Sequence, residues 1–399
     1  MLKSLSRKAL EISPSPTMAI DSKAKEMKRQ GIDVIGFGAG EPDFDTPQGI
    51  REAAIEAING GHTRYTPAAG TIEVREAICA KLLKDNSLSY QPNQIVVSNG
   101  AKHSVNNALA ALLNPDDQVL IPAPFWVSYP EMVRLNSGVP ITVQTDRANH
   151  FKASVQDLQK ALTKKSKVLI LNSPVNPTGQ VYSAEELKAV ADFCLDHQLY
   201  IIADEIYEKL IYGQARHVSI AGFNDQLKDL TIVVNGVSKS YAMTGWRIGY
   251  TASRADIATV MANIQSHTAS NPNSIAQKAT IAALQGPQDS VKMMHDAFDQ
   301  RRRYLVKRIT DLPYLEALEP EGTFYIFVSI AATLGKNFRN QTISSSDHFA
   351  SLLLENSKVA VVPGSGFGSP DYVRLSFATS KDKLEEGLNR IELFLKEIE

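Results

Sequence analysis

Cysteine is almost missing from this chain. Only Cys79 and Cys194 occur in 399 residues, each inside an apolar helical pattern. Two thiols so placed build no disulfide framework and read as buried, reduced groups, which points to a cytoplasmic setting. Neither they nor the eight histidines fall at zinc-ligand spacing, and no His-Glu-x-x-His occurs, so no metal is expected. An excess of charge is missing too: 42 Lys+Arg against 43 Asp+Glu leave −1, and no global field favours nucleic acid or an anionic membrane. No apolar run is long enough to span a bilayer, and the basic start Met1 to Leu10 never develops the continuous apolar stretch of a secretory signal. Internal repeats and low-complexity segments are absent as well. The densest basic run, Gln300 to Arg308, has helical spacing and reads as a solvated helix face.

What is present is an ordinary globular composition, 43% apolar and 21% charged. The length exceeds what one hydrophobic core serves, so two subdomains are expected. Seven β-branched runs mark the middle of the chain: Ile95 to Val97, Gln118 to Ile121, Pro140 to Val143, Lys167 to Leu171, Leu199 to Ala203, Thr231 to Asn235 and Arg247 to Thr251. Helix-length amphipathic segments such as Ala101 to Leu113 and Ala184 to Leu195 separate several of them. This alternation predicts an α/β fold with a mostly parallel sheet covered on both faces. From about Pro287 a long polar helix, a strand Thr323 to Val328, another helix and a strand Tyr372 to Phe377 suggest a smaller α+β domain.

Ligands of parallel sheets bind beyond the carboxyl ends of the strands, and polar residues gather just there. Lys239 follows one apolar run; an amine short of water becomes a nucleophile or the anchor of an aldehyde, although a lysine here could equally begin a helix. Asp204 ends another run, either as a helix N-cap or as the carboxylate that keeps a heteroaromatic nitrogen protonated. Asn99-Gly-Ala-Lys102 joins a strand to a helix, a junction whose free N–H groups suit an anion. Trp126 follows Pro-Ala-Pro, where it packs or stacks on a flat ring. Arg374 interrupts an inward-facing strand and needs an internal carboxylate or a substrate carboxylate. Gly36-x-Gly38-x-Gly40 lacks both the helix start and the spaced acidic residue of a dinucleotide site, which argues against a dehydrogenase.

Taken together, Tyr65, Asn99-Gly-Ala-Lys102, Trp126, Asn172-Ser-Pro-Val-Asn-Pro-Thr-Gly179, Asp204-Glu-Ile-Tyr207, Ser238-Lys239 with Arg247, and Arg374 resemble the class I pyridoxal-phosphate aminotransferases. Gly40-Glu-Pro-Asp-Phe-Asp-Thr-Pro47 and Ala242-Met-Thr-Gly-Trp-Arg-Ile-Gly-Tyr250 are most similar to their bacterial and plastid aspartate aminotransferases, some of which also use prephenate. The resemblance implies a fold-type I transferase, with residues 46–290 as the cofactor-binding domain and 1–45 with 291–399 as the small domain. It implies that pyridoxal 5′-phosphate is anchored by Lys239, which also moves the substrate proton. Asp204 would pair with the ring nitrogen, and Asn176 and Tyr207 would bond the ring oxygen. Arg247, Ser238 and the Gly100-Ala101-Lys102 turn would hold the phosphate, and Tyr65 would reach it from a second subunit of a homodimer. Trp126 would stack on the ring. Arg374, Asn176 and Gly40 would hold the substrate α-carboxylate, with Lys102, Ser15 and Thr17 at the distal end. Relatives often carry a hydroxyl three residues before the lysine; Gly236 stands there instead. Thr268 to Asn273 offers no arginine for a distal carboxylate, which leaves Lys102 as the cation.

The implied reaction is amino transfer between L-aspartate and 2-oxoglutarate. An aromatic aminotransferase or a lyase on the same cofactor is the alternative. A ligand-sensing regulator would need an added DNA-binding domain, for which only about 30 residues precede Ile32.

Overall fold

The computed structural model describes residues 5–13 and 16–399, without the side chains of residues 7, 8, 16–19 and 21. Seven strands form its principal sheet: β1 (Ile95–Ser98), β2 (Gln118–Pro122), β3 (Val139–Val143), β4 (Ser166–Asn172), β5 (Tyr200–Asp204), β6 (Thr231–Gly236) and β7 (Gly249–Ala252). Their spatial order is β1-β7-β6-β5-β4-β2-β3. Only β7 runs against its neighbours, so the sheet is mostly parallel.

Period-two alternation inside these runs explains why they read as continuous apolar sequence. Ile170 of β4 faces one core with Val119, Ile121, Ile202 and Met261, while Leu169 and Leu171 face another with Leu120, Ile201 and Ala203. Helices Ala101–Leu112 and Ala255–Thr268 cover the first face and Ala184–Asp196 covers the second, so neither face is wet. The last of these helices starts cleanly because Ser183 and Glu186 cap each other reciprocally.

A second, antiparallel sheet orders Val362–Pro363, Tyr372–Ser376, Tyr325–Ser329 and Glu316–Ala317. Helices Asp289–Thr310, Ser346–Ser357 and Lys381–Lys396 bury Phe298, Leu305, Phe349, Leu353, Leu388 and Phe394 against it. That core also takes in Ile206, Tyr207 and Leu210, which leave the carboxyl end of β5. The strand end carrying Asp204 thus lies where the two sheets' cores meet.

Several expected boundaries move. Leu199 precedes β5, and Arg247 and Ile248 precede β7 because Arg247 adopts a left-handed φ of 58°. No helix follows Gly40; the next one begins at Gln48. Cys194 is buried as expected, but Cys79 is only half-buried, since it lies at the edge of its helix's packed face. Among the described residues no helix is long and apolar enough to cross a membrane.

Candidate active site

Beyond the carboxyl ends of the strands lies a cavity of about 350 Å³. Ala101 and Lys102 reach it from after β1, Trp126 and Tyr129 from after β2, and Asn172 and Asn176 from the end of β4. Asp204 and Tyr207 enter from the end of β5, and Ser238 and Lys239 from after β6. Arg247 enters from ahead of β7, Tyr325 and Arg374 from the second sheet, and Gly40 and Glu41 from the N-terminal segment.

Lys239 lies in a turn and not at a helix start. It is half-buried, and its amine donates to the Gly40 carbonyl. Burial pushes its pKa down to about 8, helped by the Arg374 and Arg247 guanidinium groups, with Glu41 and Asp204 opposing. Asp204 caps no helix; a turn follows it. Its carboxylate is buried and receives Tyr129 Oη at 2.7 Å and Ile206 N at 3.3 Å. Burial raises its pKa to about 6 against the pull of those two donors. The two groups are driven toward each other's range, a pattern typical of sites that move protons.

Arg374 sits in the middle of strand Tyr372–Ser376, opposite Phe327 and Val362, and is buried. The internal carboxylate that such a cation ordinarily has is not there. Its Nη1 donates to Asn176 Oδ1 at 3.0 Å and its Nη2 to the Gly38 carbonyl at 3.2 Å, while Nε finds no partner. Aromatic faces take up the rest, with the guanidinium carbon 4.1 Å from the Tyr325 ring centre and 5.1 Å from that of Phe367. A buried guanidinium with neutral partners and an idle N–H is a receptor for an anion.

The opposite end is shaped by glycine. Gly100 has φ 88° and precedes helix Ala101–Leu112; a Cβ there would lie 2.2 Å from Arg247 Nη2. Arg247 can therefore lie against the loop, donating to the Thr244 carbonyl at 2.8 Å and the Asn99 carbonyl at 3.4 Å. Lys102 holds its amine 4.9 Å from the Trp126 ring centre. Gly236 has no room for a side chain, since a Cβ would meet the Ile248 carbonyl at 2.9 Å, and so a hydroxyl side chain has no place in this backbone.

Most of the expected residues thus gather at one cavity. Tyr65 does not; it is 91% exposed and does not line the cavity. Ser15 and the Thr17 side chain lie outside the described residues. Sequence reasoning missed Tyr129, which holds Asp204, and Tyr325, which receives the Tyr207 hydroxyl at 3.1 Å and lies under Arg374. A signal for Tyr129 existed, because a tyrosine three residues past Trp126 at an apolar helix start needs a polar partner once buried.

Residues 32–391 match the family described as aminotransferase class I and II. The chain is 48% identical to an aspartate aminotransferase of Bacillus subtilis (strain 168), over 98% of this chain and 99% of that one. It is 44% identical to an aspartate/prephenate aminotransferase of Nitrosomonas europaea, over 98% and 99%. A solved structure of the Thermus thermophilus aspartate aminotransferase with maleate superposes with a TM-score of 0.93 at 39% identity, covering 99% of this chain and 100% of that one. A match of this extent, in a chain whose strand ends bring the lysine, the aspartate and the arginines to one cavity, makes it a member of the class I and II aminotransferase family.

Proposed function

We propose that the protein is an aspartate aminotransferase dependent on pyridoxal 5′-phosphate, moving the amino group of L-aspartate to 2-oxoglutarate to give oxaloacetate and L-glutamate. One observation carries this reading. Lys102, Lys239, Arg247 and Arg374 line a single cavity against only Glu41 and Asp204, and none of the four forms an ion pair among the described residues. Cations collected without counter-charges call for anionic ligands, here a phosphate and two carboxylates.

The residues fit that cofactor. The glycine-shaped loop at Gly100, Ala101 and Lys102, with Arg247 and Ser238, would hold the phosphate, and Tyr65 of a second copy would add a hydroxyl to it; its exposure in the single chain supports a homodimer. Trp126 would cover the ring, and Asn176 and Tyr207 would bond its oxygen. When bound, pyridoxal phosphate supplies an aldehyde carbon for Lys239 and a pyridine ring that spreads the charge left when Cα loses its proton. Asp204, fixed by Tyr129, would keep the ring nitrogen protonated. Lys239, with a pKa near 8, is neutral often enough to take a proton from Cα, and its ammonium is acidic enough to return it. Arg374, Asn176 and Gly40 would hold the α-carboxylate, and Lys102 the distal one. Residues 46–290 would then carry the cofactor, with Arg374 contributed by the smaller body of 1–45 and 291–399.

The relative named for prephenate supports a second dicarboxylic amino acceptor, a 2-oxo acid, at the same two cationic ends. The test is a panel of amino donors with 2-oxoglutarate and oxaloacetate, read through the absorbance of the bound cofactor. Aspartate and glutamate react, and K102A raises KM for aspartate at least about tenfold, the cost of one charge-assisted bond, while sparing an aromatic donor. Aspartate turnover indifferent to K102A, with aromatic turnover impaired, overturns the substrate assignment. Protein that stays colourless with added pyridoxal phosphate overturns the cofactor.

A further inference from the structure

The turn that follows β5 has two faces. Asp204 and Tyr207 line the cavity, whereas Glu205 and Glu208, each one residue further along, enter a polar cluster that does not line it. The turn is closed by Glu208 N donating to the Glu205 carbonyl at 3.0 Å. Lys81, from helix Ile72–Asn86, donates to Glu208 and to Asn86 Oδ1 at 2.7 Å, and Asn86 Nδ2 donates to the other Glu208 oxygen at 2.7 Å. His217 Nε2 lies 3.1 Å from Glu205 Oε2 and 4.0 Å from Glu208 Oε2, and Ser219 Oγ donates to Glu205 Oε1 at 2.6 Å.

These side chains are dry: Lys81 and Glu208 are 3% and 6% exposed, His217 and Glu205 10% and 4%. Burial opposes the imidazolium, but Glu205 and Glu208 outweigh it and hold the His217 pKa above the ordinary value. Two carboxylates then face one ammonium and one imidazolium, a sum of zero. The surroundings add nothing to that sum, since Asp85 pairs with Lys209 at 2.7 Å and the Tyr90, Tyr241 and Tyr250 phenols are kept neutral by burial. Glu205, Glu208 and His217 could together grip a divalent cation, but Lys81 already engages Glu208 and the charge is balanced without one.

We propose that Lys81, Glu205, Glu208 and His217 form a charge-balanced brace that positions Asp204 and Tyr207 and sets the potential at Asp204, an inference that rests on the cofactor reading above. The link is short, because Glu205 is the chain neighbour of Asp204 and its charge already favours the protonated form of that carboxyl. Removing the His217 proton leaves one uncompensated negative charge behind Asp204, and proton affinity in the site rises. His217 is thus a positioning residue that acts through Glu205.

The experiment follows the visible absorbance of cofactor-loaded protein against pH. H217N, one negative charge in excess, moves the midpoint up by about half a unit or more. E205Q/H217N restores neutrality and returns the midpoint to within about 0.2 of the unsubstituted protein. A purely structural role lowers thermal stability in both variants without that return. Independently, NMR of the cofactor-free protein finds His217 titrating above the ordinary value of about 6.5, and lower in E205Q. An unmoved midpoint in H217N, no recovery in the double variant, or a His217 that titrates below the ordinary range each overturns the brace. The NMR measurement needs neither cofactor nor a well-folded H217N, and loaded protein without visible absorbance overturns the cofactor reading instead.

Discussion

Lys81 and Lys239 lie on opposite faces of the same short turn, Asp204 to Glu208, the first buried and the second half-buried. Lys81 meets Glu208 and Asn86 and so remains one half of a salt bridge whose carboxylate is held down to about 2, burial notwithstanding, by Lys81 and His217. Lys239 meets a neutral carbonyl, and burial, helped by two guanidinium groups near enough to repel its charge, takes its pKa down to about 8. Enclosure alone therefore does not make a lysine reactive. The partner decides: a carboxylate turns the ammonium into a fastener, and the lack of one leaves an amine ready for chemistry.

The same substitution at both positions gives the sharpest contrast. K239M removes the anchor and the proton carrier together, so turnover with aspartate falls by more than about 10⁴-fold, beyond the loss of a proton-transfer group alone. Borohydride treatment then fixes no cofactor to the chain, which peptide mass spectrometry checks. K81M leaves that chemistry in place but strands a buried glutamate, and destabilises the protein by about 3–5 kcal/mol in urea at pH 7. Adding E208L to K81M regains most of that loss, because an apolar pair replaces an orphaned charge. Equal stability losses in K81M and K239M would erase the distinction drawn between the two lysines.

Little in the local sequence separates these lysines. Each stands within two residues of an apolar side chain, Lys81 beside Leu82 and Lys239 after Val237, and the partner that distinguishes Lys81 is 127 positions away. What made Lys239 and Asp204 legible was position relative to the strands, because a parallel sheet delivers its strand-end residues to one rim, whereas Arg247 was placed by the family resemblance. Arg374 was legible as a charge out of place in a buried strand, but its neutral partners were not, since Asn176 and Gly38 come from distant segments. Tyr325 was hidden because a buried tyrosine in an apolar run looks like plain core until its hydroxyl partner is known. Strand ends slipped by a residue or two, at Leu199 where hydrophobicity outran hydrogen bonding and at Arg247 where the backbone turns left-handed.

The smallest predicted effect has the most telling sign. In the cofactor-free protein the enclosed ammonium of Lys239 is a cost, so K239M stabilises the fold at pH 7 by about 1–3 kcal/mol, where K81M destabilises it. The pH dependence separates charge from packing. Between pH 8 and 10.5 the unfolded chain still holds a proton that the native amine has released, so the unfolding free energy of the unsubstituted protein rises with pH across that window. Below pH 8 both states are protonated and the native state bears the whole cost; above 10.5 both are neutral and the cost is gone. The advantage of K239M, followed by urea midpoints, is therefore full at pH 7 and shrinks toward zero by pH 10.5. An advantage that stays constant across that range would come from the packing of methionine, and Lys239 would then carry no electrostatic cost for the cofactor to relieve.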